Sequence, residues 1–146
     1  MENLLVEIDH VAIAVNDLAA TVAWYEDVLG ARVVHREVVA SDGVEEALIA
    51  VADSYIQLLT PTSDESPVAK FLERRGEGLH HVGYRVADCA AALEAITASG
   101  GRVIDHAPRP GSRNTIVAFV HPKTVGGTLI ELVQERSTSV AAPTAH

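Results

Sequence analysis

Apolar and polar positions along this chain follow a pattern that occurs twice. Residues 8–18 read IDHVAIAVNDL and residues 79–89 read LHHVGYRVADC; His10 falls on His81, Val11 on Val82, Val15 on Val86 and Asp17 on Asp88. Each block is a strand-like run, then an Asp suited to capping a helix, then an amphipathic helical stretch. Leu18, Val22, Tyr25 and Leu29 mark one face of the first predicted helix; Leu93 and Ile96, after Cys89, mark the second. Glycine closes both, Gly30 and the Gly100–Gly101 pair, as a helix C-terminus favours. Matching strands follow, ARVV (31–34) and GRVI (101–104), then strand candidates EEALIAVA (45–52) and TIVAFV (115–120). YIQLL (55–59) matches LIELV (129–133) and sets Gln57 opposite Glu131. Each half therefore reads β-α-β-β-β, the mark of an internal duplication.

The repeat predicts an α+β fold of two tandem βαβββ modules. A single domain over 1–135 is expected, with module one at 6–60, a connector at 61–78 and module two at 79–135. In the connector, Ser66 before Pro67 signals a helix start, Val68, Phe71 and Leu72 give it an apolar face, and Gly76 and Gly78 end it. Residues 136–146, without periodicity or aromatics, read as a disordered tail.

Composition narrows the function. Eleven Lys and Arg against 20 Asp and Glu give the 146-residue chain a net charge of −9, which argues against nucleic acid or an anionic membrane as partner. No apolar run is long enough to cross a bilayer, and the acidic start MENLLVEIDH does not read as a signal peptide. The lone Cys89 excludes an internal disulfide framework and a Cys-rich zinc module, and fits a reducing cytoplasm.

The duplication also organises the polar residues. His10 and His81 interrupt equivalent strands where inward positions should be apolar, and Gln57 and Glu131 do so in the last strand of each half. Modules packed with pseudo-twofold symmetry would bring two His, one Gln and one Glu to one point, within a curved mixed sheet. Two nitrogens and two oxygens suit a divalent ion, Co²⁺, Mn²⁺, Ni²⁺, Zn²⁺ or Mg²⁺, with positions open to substrate. His80 aligns with Asp9 and is expected on the opposite sheet face. His35, His106 and His146 read as solvated, and His121, opening HPK (121–123), as a turn residue.

Two βαβββ halves with these ligands resemble the vicinal oxygen chelate superfamily. Within it, IDHVAIAV (8–15), WYEDVLGA (24–31), DGVEEALI (42–49), DESPVAKFL (64–72), GLHHVGYRV (78–86) and HPKTVGGTLIEL (121–132) resemble the methylmalonyl-CoA epimerase family. The resemblance implies that His10, Gln57, His81 and Glu131 bind the metal. It further implies that Glu131 lies beside the reacting carbon and that Glu46 is the facing acid/base, with Glu45 pointing away. Such an enzyme interconverts the 2R and 2S forms of methylmalonyl-CoA by removing and returning the C2 proton through a metal-stabilised enolate. The implied partner is an acyl-CoA and the implied assembly a homodimer. Phosphate recognition calls for positive charge, for which Lys70, Arg113 and Lys123 are candidates beside Arg74, Arg75 and Arg109. Asn114 stands where the family favours glycine, which leaves the acyl group open to a related 2-substituted malonyl thioester. A glyoxalase-type isomerase and a non-catalytic binding protein share the architecture and are the alternatives.

Overall fold

The computed structural model describes residues 3–136. Its elements are β1 (Leu5–Ala14), α1 (Leu18–Leu29), β2 (Val33–Val39), β3 (Val44–Val51), β4 (Ser54–Pro61), α2 (Pro67–Arg75), β5 (Gly78–Val86), α3 (Cys89–Ala98), β6 (Arg109–Pro110), β7 (Thr115–Val120) and β8 (Ile130–Glu135). Each half of the sequence keeps the βαβββ order, and the fold class is α+β. The described residues form two compact units, Ile8–Gly83 and Tyr84–Arg136 together with the start of β1. The tail expected over 136–146 lies, beyond Arg136, outside the described residues.

In the first unit the strand order is β2-β3-β4-β1-β5. β1 runs parallel to β4, whereas β2, β3 and β4 form an antiparallel meander. Helix α1 starts where Asp17 Oδ1 accepts the Ala20 N–H at 2.9 Å, and stops at Gly30, whose φ of 66° suits a residue without a side chain. Leu18 and Val22 of α1 bury against Val15, Ala47, Ile49 and Leu58, with Tyr25 partly buried beside them. Leu29, expected on the same face, is exposed because the helix ends there. The opposite sheet face carries Ala12, Ala14, Val39, Val44 and Leu59, covered by Val68, Phe71 and Leu72 of α2. The connector thus belongs to the packing of this unit. Its Ser66 hydroxyl accepts the Val68 N–H at 3.1 Å, the cap that the Ser-Pro signal implies.

Strand β2 has one irregularity. Val33 pairs with Ile49 but His35 pairs with Leu48, so the register slips between them. The slip puts Val33 on the α1 face and His35 on the α2 face, although residues two apart in a regular strand share a face.

In the second unit β7 pairs antiparallel with both β8 and β6. Asp88 caps α3 by accepting the Ala91 N–H at 3.0 Å, and Cys89, Ala92 and Leu93 are buried. The strand predicted at GRVI (101–104) does not form: only an isolated bridge joins Val103 to Val120. Asp105 intervenes, its carboxylate accepting the Phe119 N–H at 2.8 Å, and Pro108 and Pro110 have no N–H to offer a ladder. The third position of the second module is taken by the two-residue β6 instead. Among the described residues no helix is long and apolar enough to cross a membrane.

Three outcomes follow from this packing. Leu58 is 0 % exposed, so Leu58→Ala should cost about 2–5 kcal/mol in urea unfolding. Burial first, then the charges of Asp88, Asp105 and Glu131, pushes the Cys89 thiol up to about 11. The folded protein should therefore resist a thiol reagent at pH 8 and react once unfolded. Because the unfolded thiol ionises first, this contribution to stability should decline as pH rises from about 9 and be lost through about 11.

Candidate metal centre and acid–base site

Strand alternation builds the site. Ala12 lies beside Gln57, Gln57 beside Leu48, Leu59 beside Glu46, and Glu46 beside Glu37. Two-residue steps then place His10, Gln57 and Glu46 on one sheet face, the one α2 covers and α1 does not. All three are buried. Such a row would be unfavourable without partners, and each member has them or a task for them.

His10 is held from both sides. Its Nδ1 donates to Asp9 Oδ2 at 2.7 Å, and Asp9 is itself fully buried. This bond fixes the ring tautomer and leaves Nε2 as a lone pair. That Nε2 stands 3.0 Å from Nε2 of His81. The rings are nearly perpendicular, with centroids 5.0 Å apart. His81 Nδ1 in turn shares a 2.8 Å hydrogen bond with Nδ1 of His80. Gly83 lies under the His10 ring, where a Cβ would strike the imidazole.

Two buried imidazole nitrogens at this separation require a proton or a cation between or beside them. Two nitrogens each about 2.1 Å from one ion and at right angles about it lie about 3.0 Å apart, which is the distance found. Gln57 adds an oxygen: Oε1 is buried and has no hydrogen-bond partner among the described residues. Its amide nitrogen donates to Glu46 Oε1 at 2.6 Å. A buried oxygen lone pair on the same sheet face as His10, together with the two oriented imidazoles, is a donor set that fits a divalent ion. Glu46 is 1 % exposed and fixed by Gln57, whereas Glu45 is half-exposed. The fourth predicted ligand, Glu131, sits on β8 of the second unit, buried and opposite Phe119 in the ladder.

The remaining predicted residues differ in setting. Lys70 on α2 and Lys123 in the 122–124 turn are exposed. Arg113 takes a left-handed φ of 56° and stands 3.6 Å from Glu135. Arg109 pairs with Asp105 at 3.1 Å and lies over the Phe119 ring. His121 Nδ1 accepts the Lys123 N–H at 3.1 Å, the turn role expected of it. His80, expected to point away from the site, instead braces His81, because its ring turns between His81 and Phe71. His35, expected in solvent, is hydrogen-bonded to Glu37 at 2.8 Å and lies 4.0 Å from Glu46 Oε2. Asp9 was not singled out in the sequence, although a carboxylate next to a candidate ligand His is the available signal.

Comparison with known proteins agrees with this geometry. The profile of the Glyoxalase/Bleomycin resistance protein/Dioxygenase superfamily matches residues 9–119. An ethylmalonyl-CoA/methylmalonyl-CoA epimerase of Cereibacter sphaeroides is 40 % identical over 129 residues, covering 87 % of this chain and 96 % of its own. The crystal structure of methylmalonyl-CoA epimerase from Mycobacterium tuberculosis superposes with a TM-score of 0.90 at 40 % identity, over 97 % of this chain and 96 % of that one. A variant of the Streptomyces coelicolor methylmalonyl-CoA epimerase, solved with 2-nitronate-propionyl-CoA, gives 0.86 at 41 % identity, over 91 % and 96 %. The chain belongs to the glyoxalase/bleomycin resistance/dioxygenase superfamily.

Removing the charge that orients His10 tests the centre. Asp9→Asn should weaken Co²⁺ binding by about 10- to 100-fold in titration calorimetry while leaving the circular dichroism spectrum unchanged.

Proposed function

We infer that this protein is a divalent-metal-dependent epimerase interconverting the 2R and 2S forms of methylmalonyl-CoA. The observation that carries the reading is Glu46: a buried carboxylate fixed at 2.6 Å by Gln57, on the same sheet face as the His10–His81 pair. The family, and the epimerases among its similar members, support it. His10, Gln57 and His81 hold the ion, and Glu131 from β8 completes the set. Co²⁺, Mn²⁺, Ni²⁺, Zn²⁺ and Mg²⁺ all suit these donors. When bound, the ion supplies positive charge toward the oxygens of the thioester and carboxylate as the C2 proton leaves.

Inversion needs a proton removed from one side of C2 and another delivered to the opposite side. Glu46 serves one side and Glu131 the other, and reversing the roles runs the reaction backward. Gln57 links ion and base: its amide nitrogen holds Glu46, and its buried oxygen, which makes no hydrogen bond among the described residues, is left for the ion. The hydrogen bond stops the carboxylate from rotating, which shortens the search for a reactive geometry. The exposed Lys70 and Lys123 approach the CoA phosphates, with Arg113 nearby in sequence on the 109–114 loop. A homodimer in the cytoplasm is part of this reading, resting on the family resemblance and on the single buried cysteine.

Proton NMR of methylmalonyl-CoA in D₂O tests the mechanism. The C2 proton signal should disappear with added metal and persist with chelator. Glu46→Gln should slow its loss by at least about 10²-fold, and Glu131→Gln should do so while also weakening metal uptake. Exchange indifferent both to chelator and to Glu46→Gln would overturn the assignment.

A further inference from the structure

A base that takes a proton from substrate must lose it again, and Glu46 is closed off from solvent by its own burial. In a two-carboxylate inversion each turnover leaves one carboxylate protonated and the other bare, so both must exchange with water before the next molecule of the same hand is used. Around Glu46, one set of side chains leads outward. Glu37 lies directly opposite Glu46 in the β2–β3 ladder, and His35 is two residues before Glu37 on the same face. Nε2 of His35 is 2.8 Å from Glu37 Oε1 and 4.0 Å from Glu46 Oε2. Side-chain exposure rises along the same line, 2 % at Glu46, 31 % at His35 and 37 % at Glu37.

The arrangement has a cost that argues for a task. Two carboxylates directly opposite each other on a ladder repel. An imidazole between them offsets the repulsion, and the regular pairing from Val39 opposite Val44 to His35 opposite Leu48 holds His35 on this face, the slip falling beyond it toward Val33.

We propose that His35 carries protons between Glu46 and water, with Glu37 as the outer station. The proposal rests on Glu46 being one of the two acid/base groups. One nitrogen serves both neighbours: the O–H bond of protonated Glu46 breaks as an N–H bond forms at Nε2 of His35. That N–H then breaks as Glu37 Oε1 takes the proton and releases it to solvent. The ring returns with Nε2 bare, and the reverse sequence recharges Glu46. The 4.0 Å gap closes by a small rotation of the ring or by one bridging water. His35 is therefore a positioning and exchange residue, acting on substrate only through Glu46.

The experiment uses the full-length, metal-loaded protein and methylmalonyl-CoA deuterated at C2, in ordinary water. Wild type should release the label to water with each epimerisation. His35→Ala should lower kcat roughly tenfold with KM and metal content unchanged, retain deuterium in the substrate pool, and regain both rate and label release when imidazole is added to the buffer. Glu37→Gln should raise label retention in the same direction. A His35→Ala protein that matches wild type, or one that loses activity without label retention and without an imidazole response, overturns the proposal. Undiminished epimerisation by Glu46→Gln would instead remove the acid/base assignment beneath it, so the two failures are told apart.

Discussion

Two imidazole nitrogens 3.0 Å apart in a buried setting are the constraint on which the rest of the site depends. Such a pair needs a proton or a cation between or beside its nitrogens, and the surroundings hold the rings ready for it. Asp9 fixes one ring through Nδ1, His80 braces the other, and Gly83 leaves the space into which the first ring settles. None of these three need touch the substrate. Together they set the direction of the two lone pairs, a strong determinant of what the centre can bind.

The sheet supplies the rest by its period. Neighbouring positions on β1, β4, β3 and β2 line up His10, Gln57, Glu46 and Glu37 across four strands of one face. The same four strands turn Ile13, Leu58, Ala47 and Val33 toward α1, and that apolar layer gives the polar row a rigid backing. Function and core thus share each strand residue by residue. A polar side chain on one face is tolerated because its neighbours on the other bury apolar surface.

Much of this was legible in the sequence, for definite reasons. The duplication singled out His10, His81, Gln57 and Glu131 because each is a polar intruder at the same place in a repeated apolar strand, and all four are buried. Asp17, Ser66 and Asp88 declared their helices because capping is local chemistry. The failures came where one interaction competes with another. GRVI (101–104) has a strand's composition, but Asp105 and the nearby prolines redirect the hydrogen bonding that a ladder would need. Alternation set His80 apart from the site, but it fixes where Cβ leaves the backbone and not where a long ring turns afterwards, and that ring bonds His81. His35 was read as solvated because its place beside Glu37 and Glu46 shows only once β2 and β3 are paired.

That slip bears on how such a sheet can change over time. Most positions on β2 can exchange side chains while the strand keeps its place, but the extra residue between Val33 and His35 is a matter of counting rather than identity. Losing it would end the offset that lets Val33 face α1 while His35 and Glu37 keep the other side: either Val33 leaves its apolar contacts, or two polar groups turn into them and away from Glu46. The spacing of this strand is thus more tightly bound than its spelling.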